Sequence, residues 1–159
     1  MALSPTVQKI LSYYESDNPG VKANLVRLFL QGRLKNSGRL LIFPVDQGFE
    51  HGPSRSFLTN PDAFDPHYHY KLACETDLSA YAAPLGALEA GASTFAGQIP
   101  TLLKLNSSTT LYSKNNPPNQ AITASVKDAL RLGCSGIGFT IYPGSDASLD
   151  MFEEIREIA

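Results

Sequence analysis

The densest polar stretch of the sequence is residues 46–53, Asp-Gln-Gly-Phe-Glu-His-Gly-Pro, which directly follows the apolar run 40–45. Such a run is typical of a buried parallel strand, and the active sites of parallel α/β proteins lie at the carboxyl ends of their strands. Asp46 and His51 are therefore candidates for acid/base chemistry. The simpler alternative is that Asp46 caps a turn and His51 forms hydrogen bonds only within its loop. Two glycines in the stretch favour a site, because they let the backbone approach a ligand.

Lys104 stands inside an otherwise apolar stretch, Leu-Leu-Lys-Leu at 102–105. Lysine is seldom buried unless it is paired or used in chemistry. A lysine desolvated inside a barrel acts either as a nucleophile toward carbonyl groups or as a cationic partner of a carboxylate such as Asp46. The simpler alternative is an ammonium group that reaches solvent at a strand end. From the residues alone, Lys104 is a candidate imine-forming lysine.

A histidine pair and a tyrosine are further candidates for binding. His67 and His69 could share a zinc ion if they lay on a strand, but after Asp65-Pro66 they fall in the first turns of a helix, where residues two apart diverge. We therefore expect no metal site there. Tyr142 could donate a hydrogen bond at the mouth of the fold, although a packing tyrosine with its hydroxyl at the rim is the simpler interpretation.

The elements that must position these side chains alternate between strands and helices. The apolar patterns predict strands at 40–45, 80–83, 99–105 and 136–142. Helix signals predict two N-terminal helices, from 4 to about 18 and from 21 to 30. Four more helices are predicted between and after the strands. One begins at 65, one follows residue 83 and ends at Gly91, one includes Ile122, Val126, Ala129 and Leu130 and ends at Gly133, and one runs from 148 to 159. Alternation of this kind indicates a parallel sheet covered by helices.

Four strand-helix units occupy about 120 residues, so eight would need about 240, close to the roughly 250 of a TIM barrel. Four strands alone leave unpaired sheet edges, and the last helix reaches Ala159 without a stop signal. The pattern predicts an α/β fold in which residues 39–159 are the first four units of a TIM (β/α)₈ barrel and residues 1–38 are a helical extension. A compact four-unit doubly wound domain is the alternative.

Composition and charge exclude several classes of protein. With 43% hydrophobic and 18% charged residues the chain is typical of a globular domain, and a net charge of −2 without a basic stripe argues against nucleic acid binding. No export signal and no apolar stretch near the ~18 residues of a membrane span are visible, so we expect a soluble protein without membrane contact. Cys74 and Cys134 lack zinc or disulfide spacing, which agrees with a cytoplasmic location.

Residues 41–53, Leu-Ile-Phe-Pro-Val-Asp-Gln-Gly-Phe-Glu-His-Gly-Pro, closely resemble the first strand of class I fructose-bisphosphate aldolases of the bacterial and archaeal type. The stretches 80–86, 103–107, 125–134 and 138–145 resemble the same family in order. The resemblance implies a TIM barrel that cleaves fructose 1,6-bisphosphate to dihydroxyacetone phosphate and glyceraldehyde 3-phosphate. It implies chemistry through a protonated lysine imine, without a metal or other cofactor. A phosphorylated sugar substrate and a homo-oligomer are expected.

The resemblance also implies roles for single residues. Asp46 matches the acid of the first strand, which orients or deprotonates the substrate. His51 matches the active-site histidine of the following loop. Lys104 resembles a lysine of the third strand that contacts the acid or a substrate hydroxyl. Gln47 and Tyr142 are expected to bind substrate. In the family the imine lysine lies on the sixth strand and a proton-donating tyrosine on the fifth. We therefore expect these groups in a C-terminal half of the barrel, and we expect the 159-residue chain alone to be inactive.

Other functions remain open at this point. A related imine-forming aldolase could act on another sugar phosphate, which a substrate panel would reveal. A noncatalytic half-barrel could pair with a partner chain to cover its sheet edges, which the mass in solution would reveal. A metal-dependent aldolase would be sensitive to chelators.

Overall fold

The structure, a computed structural model, describes residues 2–52, 54–109, 111 and 115–159. Its helices are α1 (Pro5–Ser12), α2 (Pro19–Phe29), α3 (Pro66–Glu75), α4 (Leu85–Ala92), α5 (Val126–Arg131) and α6 (Ser148–Ile158). Its strands are β1 (Ile42–Pro44), β2 (Ala80–Pro84), β3 (Thr101–Lys104), β4 (Asn106–Ser107), β5 (Ala121–Ile122) and β6 (Gly136–Gly138). Two short 3₁₀ helices, Arg55–Phe57 and Pro61–Phe64, lie between β1 and α3.

Side-chain caps fix where several helices begin. Ser4 caps α1 by accepting a hydrogen bond from the Val7 amide at 3.2 Å, and Asn18 caps α2 in the same way. Asp65 caps α3, and in each of these three helices a proline occupies the first position, where no amide hydrogen is needed. The predicted N-termini of these helices are confirmed to within two residues.

The main sheet has four parallel strands in the order β1-β2-β3-β6. Strands that follow the chain order without reversal are expected for part of a barrel, whereas a doubly wound sheet reverses its strand order at a switch point. The order therefore favours the barrel over the doubly wound alternative. β1 and β3 are shorter than the predicted runs 40–45 and 99–105.

The two faces of this sheet differ in exposure. On one face, helices α3, α4 and α5 pack on the strands, and the buried core there is Val45, Tyr70, Ala73, Tyr81, Ala83, Leu88, Phe95, Ile99, Leu103, Leu105 and Ala129. On the other face a row of neighbouring residues crosses all four strands, namely Pro44, Ala82, Leu102 and Gly136. Pro44 is exposed and the other three are half-buried. The less covered face corresponds to the interior of a barrel, which opposing strands would cover.

Tyr70 of α3 lies at the centre of the covered face. Its ring stacks on Phe95 and meets Tyr81 edge to face, each with a centroid separation of 4.8 Å. Burial raises the pKa of both Tyr70 and Tyr81, so both phenols stay neutral at physiological pH. Gly91 does not end α4, as the sequence predicted, but lies inside it. A Cβ at Gly91 would lie 2.4 Å from the Tyr70 ring, so the glycine permits helix packing.

The prediction that Ile122 shares a helix face with Val126 is wrong. Ile122 belongs to β5, which pairs antiparallel with β4. The helix α5 begins only at Val126, because Ser125 forms a capping box with Asp128. Gly133 follows this helix with φ +67°, which confirms it as the stop signal.

The predicted fourth strand, residues 136–142, ends early at Gly138. The side chain of Asn106, which is fully buried, accepts a hydrogen bond from the Thr140 amide at 2.9 Å and donates one to the Thr140 carbonyl at 2.8 Å. These bonds use the backbone groups that a longer strand would have offered to a neighbour. The segment after β6 is thereby tied to the end of β3.

The N-terminal helices α1 and α2 form a separate cluster around Val7, Leu11 and Phe29. Their link to the rest of the fold includes Arg33, whose amide donates to the Asp77 carbonyl at 2.8 Å. The division into an extension, 1–38, and a barrel segment, 39–159, stays a prediction. Within the described residues, none of the helices combines the length and the apolar character needed to cross a membrane.

Candidate active site

The polar residues that follow β1 meet the last residue of β3 at the carboxyl edge of the sheet. The Lys104 ammonium lies 3.2 Å from Asp46 Oδ2. The strand register explains this contact. Pro44 is level with Leu102 through Ala82, so Asp46, two residues after Pro44, is level with Lys104 at the end of β3. The structure thus brings together two residues that are 58 positions apart in sequence.

Lys104 is paired with a second carboxylate. Its Nζ also donates to Glu50 Oε1. The side chains of Lys104 and Glu50 are only 13% and 10% exposed, while that of Asp46 is 28% exposed. An ammonium group enclosed by two carboxylates is not the solvent-reaching lysine of the simpler interpretation. The geometry favours the alternative in which Lys104 is a cationic partner of acidic groups.

His51 completes the cluster from the solvent side. Its Nε2 lies 3.2 Å from Asp46 Oδ1 and 3.9 Å from Glu50 Oε2, and its side chain is 58% exposed. The backbone of His51 has φ +58°, an uncommon conformation for a residue other than glycine, and Gly48 and Gly52 on either side also have positive φ. These turns fold the loop back so that Asp46, Glu50 and His51 face one another.

The two residues predicted to bind substrate lie outside this cluster in the described contacts. Gln47 is exposed and lines a neighbouring, mostly apolar cavity of about 270 Å³ whose walls include Phe49, Phe57 and His69. The Tyr142 hydroxyl accepts a hydrogen bond from Gln120 Nε2 at 2.9 Å. Substrate binding by Gln47 and Tyr142 therefore remains a prediction.

Glu50 was not among the site residues predicted from the sequence. Besides Lys104, its carboxylate accepts a hydrogen bond from the Ser108 amide at 2.9 Å. Its presence in the motif that contains Asp46 and His51 was visible, but nothing in the sequence showed that its side chain turns inward. Pro53, the last residue of that motif, lies outside the described residues.

The same cluster contains side chains that could bind a metal ion. One ligand atom each from Asp46, Glu50 and His51 lie within 4.8 Å of one another, and carboxylates with imidazole suit several divalent metals. However, the Lys104 ammonium already bonds both carboxylates, so a dication would have to displace it. The donor set is better matched to the ammonium.

His67 and His69 do not converge on a common point. The Nε2 atom of His67 is 2.8 Å from the Ala90 carbonyl, and that of His69 is 2.9 Å from the Ala63 carbonyl. Both lie in α3, as predicted, and each ring is bound to a different part of the backbone.

Comparison with known proteins gives consistent matches. A family model described as DeoC/LacD family aldolase matches residues 40–159. The class 1 fructose-bisphosphate aldolase of Thermoproteus tenax is 40% identical over 136 residues, covering 86% of this chain and 49% of the relative. A probable class 1 fructose-bisphosphate aldolase of Chlamydia muridarum is 42% identical over 148 residues, covering 92% of this chain and 41% of the relative.

Solved structures agree with these relatives. One similar structure is that of an archaeal fructose-1,6-bisphosphate aldolase, in which the catalytic lysine is covalently bound to the carbinolamine intermediate of the substrate. The match has a TM-score of 0.72 and 37% sequence identity, and it covers 87% of this chain and 51% of that chain. The aldolase of Slackia heliotrinireducens, with a TM-score of 0.76 over 99% of this chain and 48% of that one, is 20% identical and supports the fold alone. The chain spans about half the length of the relatives it matches. Because the family model covers most of its residues, the chain belongs to the DeoC/LacD aldolase family.

Proposed function

We propose that this chain supplies the N-terminal half of a class I fructose-bisphosphate aldolase. The observation that carries the proposal is the cluster of Asp46, His51 and Lys104 at the carboxyl edge of a parallel sheet whose other face is open. Sites of TIM barrels lie at this edge. The similarity to proteins named fructose-bisphosphate aldolase class 1 supports the substrate, and coverage of about half their length supports the need for a C-terminal half.

The proposed chemistry uses an imine lysine in the C-terminal half. Its amine bonds to the ketone carbon of fructose 1,6-bisphosphate and the ketone oxygen leaves as water. The protonated imine then accepts the electron pair released when the carbon-carbon bond breaks. We assign to Asp46 the removal of the proton from the hydroxyl that becomes the aldehyde, because Asp46 is the more exposed carboxylate of the cluster and also contacts His51. Lys104 holds Asp46 in place by a hydrogen bond to its Oδ2 atom.

The expected test is reconstitution. The 159-residue chain and the part of the Thermoproteus tenax aldolase beyond the matched region would be produced together, and cleavage of fructose 1,6-bisphosphate would be measured for each half and for the mixture. We expect cleavage only by the mixture, because the imine lysine and the acid come from different halves. Added chelator should leave the rate unchanged if no metal takes part. Cleavage by this chain alone, or an assembled but inactive mixture, would contradict the proposal.

Two narrower points belong to the same proposal. The family description does not specify the substrate, so a panel of sugar phosphates would show whether fructose 1,6-bisphosphate is preferred. We further propose a cytoplasmic, homo-oligomeric enzyme.

A noncatalytic half-barrel is the second candidate function, and the open sheet face favours it. Stable pairing with a C-terminal half without any turnover would indicate this function.

A further inference from the structure

Glu50 is the most enclosed carboxylate of the cluster, and all its described contacts are internal. Its Oε1 atom accepts hydrogen bonds from both the Lys104 ammonium and the Ser108 amide. We propose that Glu50 is the positioning residue of this site, which holds the Lys104 ammonium in place and thereby prevents Lys104 from forming an imine itself. The proposal rests on the proposed aldolase function and assigns to Glu50 a role that is different from that of Asp46.

Glu50 connects two loops of the site. Glu50 belongs to the loop after β1, whereas Ser108 begins the loop after β4. One carboxylate oxygen therefore ties the two loops to the end of β3, where Lys104 lies. The residues just before Ser108, Asn106 and Ser107, are buried, so this anchor point is itself fixed. The Glu50 carboxylate, held at this point, therefore sets the position of the Lys104 ammonium relative to Asp46.

The two carboxylates that contact Lys104 differ in exposure. Asp46 is partly open to solvent and also touches His51, so it can still face a substrate. Glu50 has a side-chain exposure of only 10%, and its contact with His51 is longer, at 3.9 Å. A buried carboxylate left without a cation would be strongly unfavourable. Glu50 is thus placed to hold Lys104, and Asp46 is placed to react.

Imine formation requires a free amine, whose nitrogen bonds to the carbonyl carbon while the carbonyl oxygen leaves as water. An ammonium has no lone pair for this step, and the Lys104 nitrogen is held by both Asp46 and Glu50. In an aldolase whose imine lysine lies elsewhere, a second reactive lysine in the mouth would trap the keto substrate unproductively. Glu50 prevents this side reaction.

The experiment compares the wild-type chain with Glu50→Gln and with Glu89→Gln as a control. Glu89 pairs with Arg131 on the surface, away from the cluster. Each protein would be incubated with dihydroxyacetone phosphate and borohydride, which delivers hydride to any imine carbon and makes the adduct permanent. Labelling of Lys104 would be measured by peptide mapping and divided by that of the exposed Lys127. We expect about a tenfold increase in this ratio for Glu50→Gln, because one of two charge-assisted partners is removed, and no change for Glu89→Gln.

A second measurement separates positioning from a general structural role. Glutamine keeps an acceptor oxygen for the Ser108 amide, whereas Glu50→Ala removes it. Hydrogen exchange of the Ser108 amide should therefore be faster in Glu50→Ala than in Glu50→Gln. Equal Lys104 ratios in wild type and Glu50→Gln would overturn the proposal, whatever their level. Cleavage by the reconstituted barrel is measured with wild-type Glu50 and without borohydride, so failure of the proposal and failure of the proposed function are distinguishable.

Discussion

Replacement of Asp46 by Asn should lower the rate of fructose 1,6-bisphosphate cleavage by the reconstituted barrel about a thousandfold, within the range expected for loss of a positioned acid or base. Asparagine has nearly the same shape, and its amide oxygen can still accept a hydrogen bond from Lys104, which lies 3.2 Å from Asp46 Oδ2. It cannot take up a proton. The substitution therefore removes the proposed chemical function and leaves the packing nearly unchanged.

The comparison for this prediction is Asp17→Asn, the same chemical change at an exposed position between α1 and α2. The control should assemble with the C-terminal half and cleave substrate at the wild-type rate. Assembly of Asp46→Asn would be verified by its mass in solution before rates are compared. A loss of less than about tenfold would remove Asp46 from the role of base, since removal of such a group costs at least about a hundredfold.

Replacement of Lys104 by Met should lower the free energy of unfolding of the 159-residue chain by about 3 kcal/mol at neutral pH. Methionine keeps an apolar stem of similar length but removes the ammonium that separates Asp46 from Glu50. Two carboxylates of low exposure are then left without their cation. Denaturant unfolding at neutral pH measures this loss.

The matched control for the lysine is Lys22→Met. Lys22 forms an ion pair with Glu15 at 2.7 Å, but Glu15 is 70% exposed, so its loss should cost less than about 1 kcal/mol. The double variant Lys104→Met with Glu50→Gln should recover part of the stability by removing one uncompensated charge. Equal small losses for Lys104→Met and Lys22→Met would mean that the cluster does not depend on its ammonium.

Much of the site was predictable because its residues lie at the ends of strands that the sequence reveals. Asp46 follows an apolar strand directly, and Lys104 interrupts another, so a parallel sheet brings both to the same edge. Proline after a capping residue likewise predicted where helices such as α3 begin. These signals are local, and local signals are what a sequence displays.

The features that were missed depend on contacts between distant residues. Glu50 is buried because Lys104, 54 positions away, bonds to it, and loop residues have no periodicity that would indicate an inward side chain. The strand that begins at Gly136 ends early because the side chain of Asn106, 34 positions before Thr140, forms a hydrogen bond with the Thr140 backbone amide. β5 has only two residues, which is too short for an alternating pattern to identify.

The position of the covalent intermediate tests the central claim most directly. The reconstituted barrel would be treated with dihydroxyacetone phosphate and borohydride, and the modified lysine would be located by peptide mapping. If this chain provides the acid and cation while the C-terminal half provides the nucleophile, the adduct will be on a lysine of the C-terminal half, with Lys104 unmodified. Stoichiometric modification of Lys104 in the active mixture would contradict the account.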